Sequence, residues 1–553
     1  MATVQRSLEN IDVENAHTEK SEVVNTEQCS HARGMSLDDE EFLANFSEER
    51  KKSAIRKVDV RDHHLPLRPA DTDSLQWRLI PMLLILYLIT YIDKTNIGEE
   101  NSDVELVTLS RLTLKGNAKI EGLLPSLGMT GTQYNIALSI FFIPYVLAEV
   151  PSNMILERFT HPSQYLGSIV FAWGVIMTCT GIVQNFPGLT VVRFLLGLFE
   201  AGFFPGAILL ISKWYLPNET QTRIALLYSS AASGGAFSGL LAFGLAKMDG
   251  LGGLEGWRWI FIIEGILTVA MAVACFFLLV DSPALSSRWL DPDEIRYFEL
   301  RQYARRMHSV QASGKKKAVH WNALWAVLTD WKIYLLIVAN WSNVVPNYAL
   351  KFTMPQIIKN MGYTSATAQL LTIPPYAVGA LAAYVSSVFA DRYSWRMPFI
   401  VGPQLCLVVA FSILFTKSEH IKDNVAVCYF AVCLACSGMY PILPGLNAWN
   451  ISNLAGPEKR SIGIGWLICA GNVGGVIGSY IYIDDEAPKY PTGYGTSFGF
   501  AAAGIVACFA LEFALWTINK KNSRHTEEQI RAQYSDEELE KMGDRSPLFR
   551  YTL

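Results

Sequence analysis

A series of long apolar runs limits what this chain can fold into more than any other feature of its sequence. Each run has about 20 residues, the length that a helix needs to cross a bilayer. We place the runs at 77–97, 133–155, 164–184, 187–211, 221–246, 258–280, 330–352, 367–389, 396–416, 424–446, 461–482 and 495–518. The polar stretch 281–329 divides them into six and six. The sequence therefore predicts an all-α polytopic membrane protein with twelve transmembrane helices in two six-helix bundles.

The composition agrees with a membrane protein and gives no sign of an enzyme. Of the 553 residues, 51% are hydrophobic and 17% are charged, whereas soluble proteins carry about a quarter charged residues. We find no phosphate-binding loop, no metal-ligand spacing and no nucleophile elbow. A basic nucleic-acid-binding domain is also missing from the sequence. We therefore expect no enzymatic activity, no metal and no nucleic-acid partner.

The polar segments define the domain organisation. We predict a disordered cytosolic N-terminal tail at 1–76, a six-helix bundle at 77–280, a central cytosolic loop at 281–329, a second six-helix bundle at 330–518 and a cytosolic tail at 519–553. Basic residues cluster in the loops on one side, which indicates that both termini are cytosolic. We expect a monomer in the lipid bilayer.

Two charged residues interrupt the fourth apolar run. Arg193 and Glu200 are seven residues apart, close to two helical turns, so they share one face of a helix. Charges inside a bilayer are costly and face a partner or a water-filled path. The pair is typical of a carboxylate or proton site in a transporter, and equally of a structural ion pair that joins two helices.

The fifth and eleventh runs carry similar glycine patterns. The fifth contains Ser233-Gly-Gly-Ala-Phe-Ser-Gly239, and the eleventh contains Gly471-Asn-Val-Gly-Gly-Val-Ile-Gly478. Small residues at these intervals allow helices to approach closely. Matching positions in the two halves favour two bundles that rock about a central site, although static packing would also use glycines.

Longer motifs resemble those of a known family. They are Tyr91-Ile-Asp-Lys-Thr-Asn-Ile-Gly98, Arg193-Phe-Leu-Leu-Gly-Leu-Phe-Glu-Ala-Gly-Phe-Phe-Pro-Gly206, Trp214-Tyr215 with Glu219 and Arg223, Gly256-Trp-Arg-Trp-Ile-Phe-Ile-Ile-Glu-Gly265, Gly362-Tyr-Thr with Ala368-Gln-Leu-Leu-Thr-Ile-Pro-Pro-Tyr376, and Gly543-Asp-Arg-Ser-Pro-Leu-Phe-Arg-Tyr-Thr-Leu553. With these motifs the chain resembles the major facilitator superfamily. Within it, the chain looks like the fungal allantoate permease branch of the anion:cation symporters, which includes permeases for allantoate, nicotinate, pantothenate and biotin.

The resemblance implies proton-coupled uptake of a small organic anion by alternating access at the plasma membrane, with the proton as coupling ion and no other cofactor. It assigns proton coupling to Asp93 and Glu200, and anion binding or pairing with those carboxylates to Lys94 and Arg193. The family usually has arginine where Lys94 stands, so the charge is kept but the bidentate fork is lost. Export of an organic acid or a secondary metabolite, and a nutrient sensor without transport, remain alternatives.

Further polar residues lie at positions that suit a cavity. The remaining candidates for substrate binding are Asn96, Tyr228, Asn347, Lys351 and Asn472. For Lys351, a side chain that extends to the membrane interface is the simpler interpretation.

The ends of the second and eighth runs match the superfamily's cytosolic helix–loop signature. There we assign gating to Glu149, Arg158, Asp391, Arg392 and Arg396. We interpret Glu264, in the sixth run, as structural.

Two polar segments depart from the family pattern. Val60 to Gln76 and Glu99 to Gly116 separate motifs that the family joins directly. Both segments can begin and end with codons that form splice-donor and splice-acceptor sequences, so our hypothesis is that they are translated, unspliced introns. The alternative is a pair of exposed loops, which proteins often tolerate.

Overall fold

The computed structural model describes residues 37–59, 79–95, 123–286, 290–307, 321–363, 367–368, 371–482, 486, 489–535, 538–539 and 542–553. Within these residues every regular element is a helix, so the predicted all-α fold class is confirmed. The helices at the predicted spans are α1 (Leu79–Thr95), α2 (Gly131–Ser139 continued by Phe142–Leu156), α3 (Pro162–Thr180), α4 (Phe186–Glu200 continued by Phe203–Trp214), α5 (Pro217–Ala246), α6 (Gly256–Leu278), α7 (Trp331–Asn360), α8 (Ile373–Tyr393), α9 (Pro398–Lys417), α10 (Val425–Ser452), α11 (Pro457–Tyr480) and α12 (Pro491–Asn522).

Length and hydropathy identify the helices that can cross a membrane by themselves. Among the described residues, seven are long and apolar enough, and the number rises to eight if α7 and the preceding helix Trp321–Leu328 count as one span bent by 59°. The apolar parts of α1 and α2, Leu79–Asp93 and Phe142–Leu156, are shorter. Large apolar side chains such as Phe277, 83% exposed, and Phe513, 69% exposed, lie on the outer surface, as in proteins that contact lipid.

Local sequence explains where several of these helices begin. Proline occupies one of the first positions of α3, α5, α9, α11 and α12, where its missing N–H costs no helical hydrogen bond. At the start of α5, Glu219 also accepts a hydrogen bond from the backbone nitrogen of Leu216, 3.2 Å away. Asp330 caps α7 by accepting from the backbone nitrogen of Lys332 at 3.3 Å.

The two halves repeat the same packing pairs. In the first half α1 packs on α5, α2 on α4, and α3 on α6. In the second half the corresponding pairs are α7 with α11, α8 with α10, and α9 with α12. Between the halves, α5 contacts α8 and α10, and α2 contacts α11. The structure thus contains two six-helix bundles that meet along α2, α5, α8, α10 and α11.

The glycines of the repeated pattern lie where helices approach closely. A Cβ atom on Gly478 of α11 would lie 2.5 Å from the carbonyl oxygen of Val345 in α7. A Cβ atom on Gly234 of α5 would lie 2.9 Å from the side chain of Tyr91 in α1. These contacts agree with the prediction that small residues allow close helix packing in both halves.

The prediction of a disordered tail at 1–76 is wrong for residues 37–59, which are helical. They form the helices Leu37–Asn45 and Glu48–Asp59, which lie against the central-loop helix Pro292–Met307. Arg296 pairs with Asp39 at 2.5 Å, and the ring of Phe46 stacks on Tyr297 with centroids 4.7 Å apart. The polar composition suggested disorder, but its charges have partners on the central loop.

The central-loop helix is itself attached to the first bundle. Arg301, 7% exposed, donates to both carboxylate oxygens of Glu219 at the start of α5, at 2.7 and 3.2 Å. It also donates to the carbonyl oxygen of Trp214 at the end of α4, at 3.3 Å. The helices of 37–59 and the central-loop helix therefore form an ordered layer on the first bundle.

Candidate functional site

Asp93 is a fully buried carboxylate inside the first bundle. It lies near the end of α1 and accepts hydrogen bonds from two other helices. The indole nitrogen of Trp173 in α3 donates at 2.8 Å, and the hydroxyl of Thr268 in α6 donates at 3.1 Å. Both donors approach the same oxygen, Oδ2. Such donors reduce the cost of burying a carboxylate at this depth.

Asp93 belongs to a cluster of buried charged groups. Glu200 and Arg193 of α4 both interact electrostatically with Asp93, and so does Glu264 of α6. Arg193, Glu200 and Glu264 are 3%, 1% and 2% exposed. The structure thus brings together three residues that the sequence analysis selected, Asp93, Arg193 and Glu200.

We define the charge cluster as Asp93, Arg193, Glu200 and Glu264. The sequence analysis interpreted Glu264 as structural and did not include it in the site, and in the structure it interacts electrostatically with Asp93. Its signal was present in the sequence, as a carboxylate in an apolar run. Trp173 and Thr268 carried no such signal, because apolar runs commonly contain both residue types.

Some predicted site residues cannot be placed. Asn96 and both interposed segments, 60–76 and 99–116, lie outside the described residues. Lys94 and Lys351 lie on α1 and α7, but their side chains are also outside the described part of the structure. Their assigned roles remain predictions.

A polar and aromatic contact lies between the two bundles. The amide of Asn347 in α7 donates to the hydroxyl of Tyr228 in α5 at 2.8 Å. The ring of Tyr228 also packs against Tyr440 of α10, with centroids 5.5 Å apart, and Tyr376 of α8 meets Tyr440 at 6.4 Å. Tyr228 and Asn347, both predicted cavity residues, therefore meet midway along their helices at the bundle interface.

The loop between α8 and α9 joins the second bundle to the start of α5. Arg396, 1% exposed, donates to Asp391 and to the side-chain oxygen of Gln221, each at 2.7 Å. It also donates to the carbonyl oxygen of Pro217. Asp391 accepts from the backbone nitrogen and the hydroxyl of Thr222 at 2.8 and 2.7 Å. These bonds connect the halves on the side predicted to be cytosolic.

A second connection joins α2 to α11. The amide of Asn153 donates to the carbonyl oxygen of Ser461 at 3.1 Å, and the hydroxyl of Ser461 donates back to the carbonyl oxygen of Asn153 at 2.8 Å. Further along, Asn472 donates to both carboxylate oxygens of buried Glu149, at 3.3 and 3.4 Å. Asn472, predicted to line the cavity, thus contacts a predicted gating residue.

The other two predicted gating residues lie apart from these contacts. Arg158 follows the end of α2 and Arg392 lies in the last turn of α8, and both side chains are exposed. The structure therefore divides the predicted gating set. Glu149, Asp391 and Arg396 lie between the bundles, whereas Arg158 and Arg392 face outward.

Two helical bundles, built in part from helices long and apolar enough to cross a membrane, define a multi-pass membrane protein. The Major Facilitator Superfamily matches residues 105–479. The MFS-type transporter cnsO of Penicillium expansum is 36% identical over 92% of this chain and 92% of its own length. The chain belongs to the Major Facilitator Superfamily.

Two further comparisons extend this result. The high-affinity nicotinic acid transporter of Saccharomyces cerevisiae is 26% identical over 97% of this chain and 90% of its own length. The solved structure of the proton:xylose symporter XylE matches with a TM-score of 0.56 at 13% identity, covering 78% of this chain and 94% of XylE. The structural match supports the fold. The family and the relative of 36% identity are transporters, so this protein is a transporter rather than an enzyme.

Proposed function

We propose that this protein is a proton-coupled symporter that imports a small organic anion across the plasma membrane by alternating access, with both termini in the cytosol. The observation that carries the proposal is the charge cluster, in which Asp93 interacts with Arg193 and with two further carboxyl groups. Buried ionisable groups in a membrane protein mark ion or substrate pathways. The proposal places the protein in the allantoate permease branch, as its sequence motifs suggest.

The cluster has the composition that coupling between a proton and an anion requires. Among its described members, three carboxyl groups accompany one guanidinium group. A substrate carboxylate can compete with Glu200 or Asp93 for Arg193, and a proton can neutralise the displaced carboxylate. Anion and proton then enter together, because the binding of each lowers the free-energy cost of binding the other inside the bundle.

The interface between the bundles offers a place for the rest of the substrate. Tyr228, Asn347 and Tyr440 supply hydroxyl, amide and aromatic groups from both halves. A ligand that contacts both halves can be released to either side when they rock. The similarity to a nicotinic acid transporter supports a small aromatic carboxylate as the first candidate.

The proposal is tested by uptake in yeast that lacks its own carboxylate transporters. The probes are labelled nicotinate, pantothenate, biotin, allantoate and aromatic carboxylates, offered at external pH 5 and pH 7 with and without a protonophore. We expect the cells to accumulate one of the probes, and we expect the protonophore to abolish this accumulation. Uptake that is unchanged by the protonophore would contradict proton coupling. Efflux alone would favour an exporter, and binding without flux would favour a sensor.

The same assay tests the two interposed segments. The full chain is compared with a version that lacks 60–76 and 99–116. Uptake by the trimmed version alone supports the intron hypothesis, and uptake by both versions supports tolerated loops. A genomic sequence without splice-site dinucleotides at these boundaries would also exclude introns.

A further inference from the structure

The segment 543–553 is docked on the cytosolic ends of the second bundle through buried charges. Asp544, 3% exposed, accepts from Lys459 at the start of α11 at 2.8 Å, and from Lys332 at the start of α7. Lys459 also pairs with Asp330 at 2.7 Å. Burial alone would raise the pKa of Asp544, but the two lysines outweigh it, so that its pKa lies below the usual value.

Two asparagines hold the backbone of the same segment. Asn519 of α12 donates to the carbonyl oxygen of Tyr551 at 2.8 Å and accepts from its backbone nitrogen at 2.9 Å. Asn453, just after α10, does the same for Thr552, at 3.0 and 2.8 Å. The indole nitrogen of Trp449 adds a third bond to Thr552, 2.9 Å from its carbonyl oxygen. Side chains from two helices thus satisfy consecutive backbone groups.

The next residue contacts the loop that joins the two bundles. The backbone nitrogen of Arg396 donates to the backbone oxygen of Leu553 at 2.9 Å. The side chain of Arg396 points the other way, to Pro217 and Gln221 of α5. The loop is tight, since Ser394 adopts a left-handed conformation with φ of 52°. The backbone of Arg396 is therefore fixed by the segment, and its side chain reaches the other half.

We propose that the segment 543–553 positions Arg396. It thereby keeps the cytosolic gate closed in this state, where the gate is the set of contacts that Asp391 and Arg396 make with the start of α5. The segment joins the cytosolic ends of α7, α10, α11 and α12 to the loop that carries the gate residue. Its release leaves the Arg396 backbone without this anchor, and the bonds to Gln221 and Pro217 weaken. The inference rests on the proposed alternating access, in which the same gate opens to release substrate.

One pair of variants isolates the backbone contact. Thr552→Pro removes the backbone N–H that Asn453 accepts, whereas Thr552→Ala keeps it and loses the same side-chain hydroxyl. Asn453→Ala breaks the two bonds to Thr552 from the helix side, and replaces Thr552→Pro if that variant does not reach the membrane. Arg545→Ala is a further control, because this neighbouring side chain is exposed.

Cys469 reports whether the gate is open. It is 6% exposed on α11, and its thiol donates to the carbonyl oxygen of Val146 in α2 across the bundle interface, at 3.3 Å. In inside-out vesicles a membrane-impermeant maleimide reaches Cys469 only when the cytosolic side opens. Peptide mass spectrometry separates its labelling from that of the other cysteines. This measurement needs no substrate, so it stands even if the proposed anion or its coupling is wrong.

We expect Thr552→Pro to label about fivefold faster at Cys469 than Thr552→Ala, the effect of losing one hydrogen bond from the closed state. Arg396→Ala should accelerate labelling as well, and Thr552→Pro should add nothing further in its presence. Equal labelling of the two Thr552 variants would overturn the proposal. The proposal would also be overturned if the effects of Thr552→Pro and Arg396→Ala on the labelling rate were additive. The segment would then act on the stability of the protein rather than through Arg396.

Discussion

Trp173 donates a hydrogen bond to Asp93 at 2.8 Å, deep inside the first bundle. The two residues are 80 positions apart in the chain and belong to different helices, α3 and α1. Neither side chain is exposed. The bond fixes the orientation of the carboxylate that our account places in proton coupling.

Removing this bond should impair transport more than folding. A hydrogen bond to a charged group contributes about 1.5–3 kcal/mol, so Trp173→Phe should lower coupled uptake by about tenfold or more. The matched control is Trp341→Phe, which removes an indole bond of 2.9 Å to the carbonyl oxygen of Ala470 in the other bundle. The measurement is the initial uptake rate at external pH 5 and pH 7. Equal losses in the two variants would contradict the role of Trp173.

The charges of the cluster should be required for accumulation. We expect Arg193→Gln and Glu200→Gln each to abolish concentrative uptake at normal surface expression, because each removes a charge that exchanges with proton or substrate. Glu512→Gln is the matched control, since Glu512 also lies in a spanning helix but bonds to Trp395, 2.9 Å away. Normal accumulation by either cluster variant would refute the role of that residue.

The gate should depend on the buried pair Asp391 and Arg396. Removing one member of a buried ion pair costs about 3–5 kcal/mol, so Asp391→Asn should strongly destabilise the contact between this loop and the start of α5. Hydrogen exchange at the start of α5 should then become faster, and concentrative uptake should fall while exchange of substrate across the membrane persists. Arg392→Ala, at the exposed neighbouring position, should leave both unchanged. Unaltered exchange at α5 in Asp391→Asn would count against the gate.

Docking of the segment 543–553 should be insensitive to pH in the physiological range. The pKa of Asp544 is lowered, so its stabilisation is complete above the usual aspartate pKa and is lost only as pH falls through the lowered value. A spin label on Arg550→Cys, in a background without other reactive cysteines, should stay immobilised from pH 8 to pH 5 and become mobile only below about pH 4. Asp544→Asn should be mobile throughout. Release between pH 7 and pH 5 would show that another group controls docking.

Apolar runs predicted the fold because span length and hydropathy are local properties. Every predicted span contains a helix in the structure, including α1, whose apolar part is short. The structure of residues 37–59 was predicted wrongly because it depends on distant contacts and not on local properties. Their helices are stabilised by contacts such as that of Arg296 with Asp39, 257 positions apart, which no local pattern reveals.

The candidate site could be predicted only in part. Charges such as Asp93, Arg193 and Glu200 stand out in an apolar run, so sequence alone selected them. Their partners Trp173 and Thr268 are ordinary residues of such runs and became visible only through tertiary contacts. The motif at 543–553 was recognised by resemblance, but nothing in its sequence indicated that Asn453 and Asn519 would hold its backbone.

The central claim is that one proton-linked anion moves through the charge cluster, and proteoliposomes test it most directly. The purified protein is reconstituted with a pH-sensitive dye inside, and the carboxylate identified by the uptake screen is added outside under an imposed pH gradient. The account predicts that substrate entry and internal acidification occur together, and that Glu200→Gln loses the acidification. Substrate entry in the wild-type protein without any proton movement would contradict it.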